Sequence, residues 1–510
     1  MATKKTSIVH ATLILLIGTA LSKILGFARE ILVAYQFGAG NISDAFLLTN
    51  GIPNLLFGSI ALVVGISYIP YCQTIEGKEK IDFFTSNLLN CITVALIVGC
   101  AIVITFPKTV LRIIAGGLNT EAQYYAIVML RIVVLSIIPI VLAHLFQAYS
   151  QINGQFHSTA WFGLITNTII IVFTLITREE TFYLLSLGVV AANCAGMMLS
   201  IWSIRSLRFH YSFIINPRDQ DIKGIVLLTI PLLIENIAYS MSLLVDRSLA
   251  SYLDSGTISG LSYAGTLGNI ASTMIASSII TAVYPTISRL AAKERESLDF
   301  HLALYSKAIV FILCPVSFAL VFFAQDVVTI IFNHGAFKGS SLAVVWQSLI
   351  CYAIGVVPAG LQTYLIRCFY AIKDTKTPVF IQVFALICNI ILNIISVKYL
   401  KHMGIALSTS ISYLIALILL AVLLMKKHKI SSVPQITIDA MKGVLCAVVA
   451  GAVSFGSIHW GKINIDILWK MVIEMLIFIA IYMGTSWFFQ KETIKMSLQL
   501  IKSRKKPNLS

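Results

Sequence analysis

Lys23, Arg29, Glu30, Asp44, Arg131, Glu235, Asp246 and Arg247 stand inside or at the ends of long apolar runs. A charge at a lipid-facing helix centre costs about 2.5–3.5 kcal/mol, so each should face the protein interior or a wet cavity. Lys23 and Glu235 lie a turn or more from either end of their runs and read as cavity-lining. Two readings are open for the Arg29–Glu30 and Asp246–Arg247 pairs: they line a cavity, or they snorkel to an interface. Arg131 reads either as a buried ion-pair partner or as a functional cation. Asn389 and Asn393, four apart, share a helix face, and Ser408, Thr409 and Ser410 follow G-I-A-L. Oxygens of Asp246, Asn389, Asn393 and Thr409 could hold a small hard cation such as sodium. The same Asn and Thr side chains equally suit interhelical hydrogen bonding.

The elements that must carry these residues are membrane-spanning helices. Of 510 residues 58% are hydrophobic and 12% charged, against roughly 25% charged in soluble domains. Runs of bilayer length recur from end to end, which excludes a β-barrel. The expected spans lie near 9–28, 44–70, 86–106, 124–148, 158–177, 181–204, 224–252, 258–286, 303–325, 342–366, 378–397, 402–425, 438–459 and 466–489. A short interfacial helix is expected within 106–124. M-A-T-K-K-T-S-I-V-H is followed by no small-residue cleavage site, so the first run is kept as a helix.

With the N-terminus inside, 23 Lys and Arg fall on the inner side and seven on the outer. That bias places both termini in the cytoplasm and favours an even count of fourteen. The net charge of +15 is therefore a topology signal, not a nucleic-acid groove. The nine cysteines form no C-x-x-C pair, so they read as buried hydrophobes. G-x-S-x-G, H-E-x-x-H and G-x-x-x-x-G-K-[ST] are all missing, and no catalytic residue or enzyme activity is expected.

The chain also matches itself. F-G-A-G-N-I-S-D-A-F (37–46) aligns with L-D-S-G-T-I-S-G-L-S (253–262), which sets Glu30 opposite Asp246. Asn167 and Asn389 correspond at a similar offset. Six spans separate the copies, so the repeat is parallel. The expected fold is an all-α polytopic membrane protein with fourteen transmembrane helices. Two six-helix repeats form an N-lobe (1–215) and a C-lobe (216–430) around a central cleft. Two more helices (431–490) and a basic cytoplasmic tail (491–510) follow.

S-K-I-L-G-F-A-R-E-I-L-V-A-Y-Q-F-G-A-G-N-I-S-D-A-F, I-P-N-L-L, V-D-R-S-L-A-S-Y-L, F-N-H-G-A-F (332–337) and F-Y-A-I-K-D-T-K-T-P (369–378) carry a resemblance over nearly the whole chain. In these motifs it resembles the bacterial lipid II flippase family (MurJ, formerly MviN), within the multidrug/oligosaccharidyl-lipid/polysaccharide exporter superfamily. The resemblance implies translocation of an undecaprenyl-pyrophosphate-linked peptidoglycan precursor between leaflets of the bacterial plasma membrane. Pyrophosphate oxygens suit Arg, which binds bidentately, and Lys, which binds as a point charge. By position, Arg29 and Lys23 match cleft cations of the family, and Glu30, Asp44 and Asn54 its polar residues. Phe57 and Thr266 stand where the family usually has arginine. The family's sodium site falls on Asp246, Asn389, Asn393, Thr409 and the carbonyl of Ile405. Asn393 there replaces a carboxylate. The expected partners are the lipid-linked substrate, membrane lipids and cell-wall synthesis enzymes, with no nucleic acid. Alternative cargoes are capsule, teichoic-acid or O-antigen precursors, and a drug or cation exporter of related fold is the other transporter reading. A scaffold recruiting cell-wall enzymes is the rival from another class.

Overall fold

The computed structural model describes residues 8–53, 55, 57, 67–293, 295–337, 339–461 and 466–489. Among them every regular element is a helix, as expected where backbone groups must be satisfied within the segment. In chain order these are α1 (Ile8–Phe37), α2 (Asn41–Pro53), α3 (Lys78–Thr105), α4 (Pro107–Ala115), α5 (Thr120–Val133) and α6 (Ile137–Ile152). Then come α7 (His157–Ile176), α8 (Tyr183–Ser206), α9 (Gln220–Ala250), α10 (Thr257–Lys293), α11 (Arg295–Phe322) and α12 (Ala324–Phe332). The last are α13 (Ser340–Ile354), α14 (Val356–Ala371), α15 (Lys376–His428), α16 (Val433–Gly461) and α17 (Ile467–Phe489). Among the described residues eight helical stretches are long and apolar enough to cross a bilayer, nine if one bent pair counts as a span.

Several expected runs are shaped differently, each for a local reason. The first helix continues through Lys23, Arg29 and Glu30 to Phe37, because charged side chains do not interrupt backbone hydrogen bonding. The run near 342–366 is two helices, α13 and α14, bent by 42° at Gly355. A Cβ at Gly355 would lie 2.4 Å from Ser410 Oγ, and Pro358 lacks the N–H that would continue the helix. α15 joins two expected runs through Lys401, whose φ of 49° and ψ of −128° turn the chain. The short helix expected within 106–124 is α4.

The described chain divides into two compact units, one reaching Ser259 and including His334–Phe337, the other holding the remainder. In the first, α1 packs on α7, α7 on α8, α6 on α8 and α2 on α5. α9 lies beyond residue 215 yet packs against α3 and α4 in this unit. In the second, α11 packs on α16, α16 on α17, and α13 and α14 on α15. Lipid tails are as apolar as leucine, so such contacts rest on close packing and hydrogen bonds. α1 and α7 show this. A Cβ at Gly18 would lie 2.6 Å from the Ala160 carbonyl oxygen, and one at Gly163 would lie 2.1 Å from Ser22 Oγ.

One staple recurs in both units, at close to the offset expected for the repeat. Asp82 Oδ2, early in α3, accepts from the His210 N–H at 3.1 Å, just after α8. Asp299, early in α11, accepts from the Ser431 N–H at 2.9 Å and the Ser432 N–H at 3.0 Å, just after α15. Position 299 lies 217 residues after 82, and 431 lies 221 after 210.

The F-Y-A-I-K-D-T-K-T-P turn is held by Asp374, which accepts from Lys427 Nζ at 2.7 Å, Thr377 Oγ1 at 2.7 Å and the His428 ring at 3.0 Å. Burial alone would raise this carboxyl; the hydrogen bonds from Lys427, Thr377 and His428 outweigh it and hold it well below the usual carboxylate range. A depressed carboxylate contributes fully above its unfolded value near pH 4 and loses that contribution as pH falls through the folded value. The Asp374 carboxylate is therefore ionised at both pH 5 and pH 8, and Asp374→Asn should speed proteolysis of the 372–376 turn at both.

Candidate translocation site

Arg29 is the best-defined charge of α1. Gly18, Ser22, Gly26 and Arg29 recur at spacings of four, four and three, which puts them on the one face that meets α7. Asn167 of α7 organises it. Its Nδ2 donates to the Ser22 carbonyl at 3.1 Å and the Gly163 carbonyl at 2.8 Å. That fixes Oδ1 toward Arg29, whose Nη1 donates to it at 3.2 Å. Arg29 Nη2 also stands 3.8 Å from Glu30 Oε1, with the two side chains 21% and 16% exposed. Asn167 takes one of the five guanidinium donors. Lys23 and Glu30, seven apart, share a neighbouring face of α1, and Lys23 is exposed. The arrangement is a part-buried, pre-oriented guanidinium with a second cation about 9 Å away along the helix.

Asp44 is placed differently. It is buried, and its Oδ2 and Oδ1 accept from the Gly256 and Ser259 N–H groups at 2.7 Å each. It thus caps the N-terminus of α10 from another helix. Asn41 extends this tie, accepting from Asn119 Nδ2 at 3.0 Å and Ser255 Oγ at 2.7 Å. The F-N-H-G-A-F motif docks beside it. The Ala336 N–H donates to the Tyr35 carbonyl at 2.8 Å. Gly335 has φ +62°, and a Cβ there would lie 2.2 Å from that same oxygen, so both conformation and space require glycine.

Arg247 Nη1 reaches the Leu48 carbonyl at 3.4 Å. Its guanidinium occupies space that Gly51 leaves open, since a Cβ at 51 would lie 1.6 Å from Nη1. Gly51→Ala should expel the guanidinium at a cost of about 1–3 kcal/mol. Read as a thermal midpoint in detergent, Gly51→Ala on an Arg247→Ala background should then add little.

Arg131 is exposed in the last turn of α5. Glu235 lies on α9 with its side chain outside the described residues, as does Asn54 entirely. Phe57, at one usual arginine position, packs its ring on Gly99 of α3, where a Cβ would lie 2.7 Å from ring carbons. Thr266, at the other, is half-buried on α10.

Of the five residues proposed for sodium, Asp246 belongs to the first unit and the other four to the second. There Asn393 Nδ2 donates to Asn389 Oδ1 at 3.1 Å, and Thr409 Oγ1 donates to the Ile405 carbonyl at 3.2 Å. The two pairs lie on the two arms of α15. The arms are clamped by a 2.9 Å contact between the Ser396 and Ser408 hydroxyls, and by Gly404, whose Cβ would lie 2.6 Å from the Ser396 carbonyl oxygen. Asn389, Asn393 and Ile405 are buried. The amide, hydroxyl and carbonyl oxygens of Asn389, Asn393, Thr409 and Ile405 are neutral and hard, the kind a monovalent cation takes. Among the described residues no cluster of three or more His, Cys, Asp or Glu suits a metal.

Long apolar helices with a part-buried, oriented guanidinium and small-residue packing define a polytopic helical membrane protein of transporter build. A solved multidrug resistance MATE family transporter of the MOP superfamily shares the fold at TM-score 0.64 and 17% identity, over 81% of this chain and 96% of that one. A solved lipid II flippase MurJ in an inward closed conformation matches at TM-score 0.82 and 24% identity, over 94% and 100%. The lipid II flippase MurJ of Burkholderia cenocepacia is 26% identical over 497 residues, covering 92% of this chain and 95% of the relative. A probable lipid II flippase MurJ of Thermotoga maritima is 24% identical over 416 residues, covering 81% and 85%. The family model described as lipid II flippase MurJ matches residues 33–491. The chain belongs to that family.

Proposed function

We propose that this chain carries lipid II, an undecaprenyl-pyrophosphate-linked peptidoglycan precursor, from the cytoplasmic to the outer leaflet of a bacterial plasma membrane. The observation that carries the reading is Arg29, fixed by Asn167 and flanked by Glu30 inside an apolar helix. A guanidinium held this way offers donors to pyrophosphate without first paying for its own ordering. Fourteen spans, two six-helix lobes and cytoplasmic termini complete the proposal, with the polyprenyl tail left in lipid while the headgroup crosses. Membrane potential, worth about 2.3 kcal/mol per charge per 100 mV, would help return an empty cationic cleft.

Sodium coupling through Asp246, Asn389, Asn393, Ile405 and Thr409 is part of this proposal. The repeat supports it. Glu30 and Asn167, the counterparts of Asp246 and Asn389, both contact the tethered cation Arg29. A free cation would fill the corresponding role in the second copy.

The test is rescue of a strain depleted of its own lipid II flippase. Growth on expression of this chain is expected. Failure to rescue despite full membrane expression would exclude lipid II. Phe57 packed on Gly99, where an arginine is usual, favours another polyprenyl-linked saccharide as the second reading. Cell-wall synthesis enzymes are the proposed partners.

A further inference from the structure

The segment between α8 and α9 runs extended along the first turns of α3. Lys78, Asp82, Ser86 and Asn90 form one polar ridge at intervals of four. Lys78 Nζ donates to the Leu207 carbonyl at 2.8 Å and the Arg208 carbonyl at 3.2 Å. Asp82 takes the His210 N–H at 3.1 Å, Ser86 Oγ takes the Ser212 N–H at 3.1 Å, and Asn90 Nδ2 donates to the Ile214 carbonyl at 2.9 Å. The two rows keep step because four helical residues rise about 6 Å and two extended residues about 6.6 Å. Asn87 closes the far end by exchanging two bonds with Asn216, at 2.8 and 3.0 Å. The segment is therefore a fixed strap rather than a loose linker.

Its outer side is apolar. Phe213 is 79% exposed and Ile215 48%; Tyr211 is 54% exposed, with its hydroxyl donating back to Asn90 Oδ1 at 2.8 Å, and Phe83 of α3 is 45% exposed. Arg205, Arg208 and Arg218, all exposed, flank the row. Depth follows from length. The 28 residues of α3 span about 42 Å, some 12 Å more than a hydrocarbon core. At the Thr105 end, α4 buries Leu111 and Ile114 and exposes Lys108, Arg112 and Ile113, the mixed face expected of a helix lying at an interface. That surplus is about eight residues at the Lys78 end, so the strap starts in the headgroup layer and its 212–216 end reaches the edge of the hydrocarbon.

We infer that residues 207–216 form an interfacial strap whose Tyr211, Phe213 and Ile215 enter the headgroup layer and hydrocarbon edge of an anionic membrane. Aromatic side chains favour that boundary, and flanking arginines suit anionic lipid. The backbone is extended there because α3 side chains satisfy its inward-facing polar groups. On the orientation proposed above this is the inner leaflet, but lipid contact itself does not depend on cargo or orientation.

The test places the photoreactive aromatic p-benzoylphenylalanine at Phe213, and separately at Tyr211, in the full chain. The protein is reconstituted in vesicles of phosphatidylglycerol and phosphatidylcholine and irradiated. A mass shift of one phospholipid is expected at both positions, with phosphatidylglycerol enriched over its share of the bilayer. Adducts in the bulk lipid ratio would overturn the charge preference. A protein-sized adduct, or neither adduct at either position, would overturn the inference.

Discussion

Arg29→Ala should abolish rescue of flippase-depleted cells while the chain still inserts and accumulates in the membrane. The guanidinium is only part-buried, at 21% exposure, so its loss opens no large cavity. Asn167 keeps its bonds to Ser22 and Gly163, so α1 and α7 should stay packed. What disappears is an oriented cation. A hydrogen bond to a charged group is worth about 1.5–3 kcal/mol, or roughly ten- to a hundredfold in headgroup binding for each one lost. Arg29→Lys should rescue partly, because it retains charge but cannot serve both Asn167 and an oxyanion through one rigid fork. Lys23→Ala should do less harm than Arg29→Ala, since Lys23 is an exposed, flexible point charge. Asn167→Ala should resemble Arg29→Lys, with the cation present but unaimed. Growth rescue read beside membrane protein level decides this. Full rescue by Arg29→Ala would sink the role given to this residue and favour the scaffold reading.

The helical class is legible because bilayer-length apolar runs have few alternatives, and the charged α1 residues stand out because they violate that pattern. Partners across helices are not legible. Asn167 is visible as half of a repeat pair, yet its hold on Arg29 depends on how Gly163 and Gly18 let two helices approach. Asp44 looks like another membrane charge. Its task of capping α10 from more than 200 residues away depends on tertiary contacts that spacing does not encode. The ridge Lys78–Asp82–Ser86–Asn90 is printed in the sequence at clear helical spacing. It reads only as a basic loop and the start of a span because extended strap and helix must be seen together for their rises to match. Gly355 and Lys401 reshape apolar runs that hydropathy alone leaves continuous or separate.

Asp44→Ala should loosen the tie that joins α2 to the start of α10. Each carboxylate oxygen accepts one buried main-chain N–H at 2.7 Å, and alanine leaves both donors without that acceptor. Two charged hydrogen bonds at about 1.5–3 kcal/mol apiece give roughly 3–6 kcal/mol, large beside the total stability of many domains. Asp44→Asn should cost about half, since its Oδ1 can accept one N–H while its NH2 group opposes the other. Asp44, Gly256 and Ser259 all lie in the first compact unit, so the tie holds the start of α10 against α2 within that unit. Its removal should therefore shift the population in which the start of α10 has opened by about a hundredfold for each 3 kcal/mol. Ser259 is fully buried, and a cysteine placed there reports the opening. Labelling of Ser259→Cys by a membrane-impermeant maleimide should be slow alone and much faster with Asp44→Ala, with Asp44→Asn between them. Equal labelling rates in all three would mean that some other contact keeps the start of α10 shut.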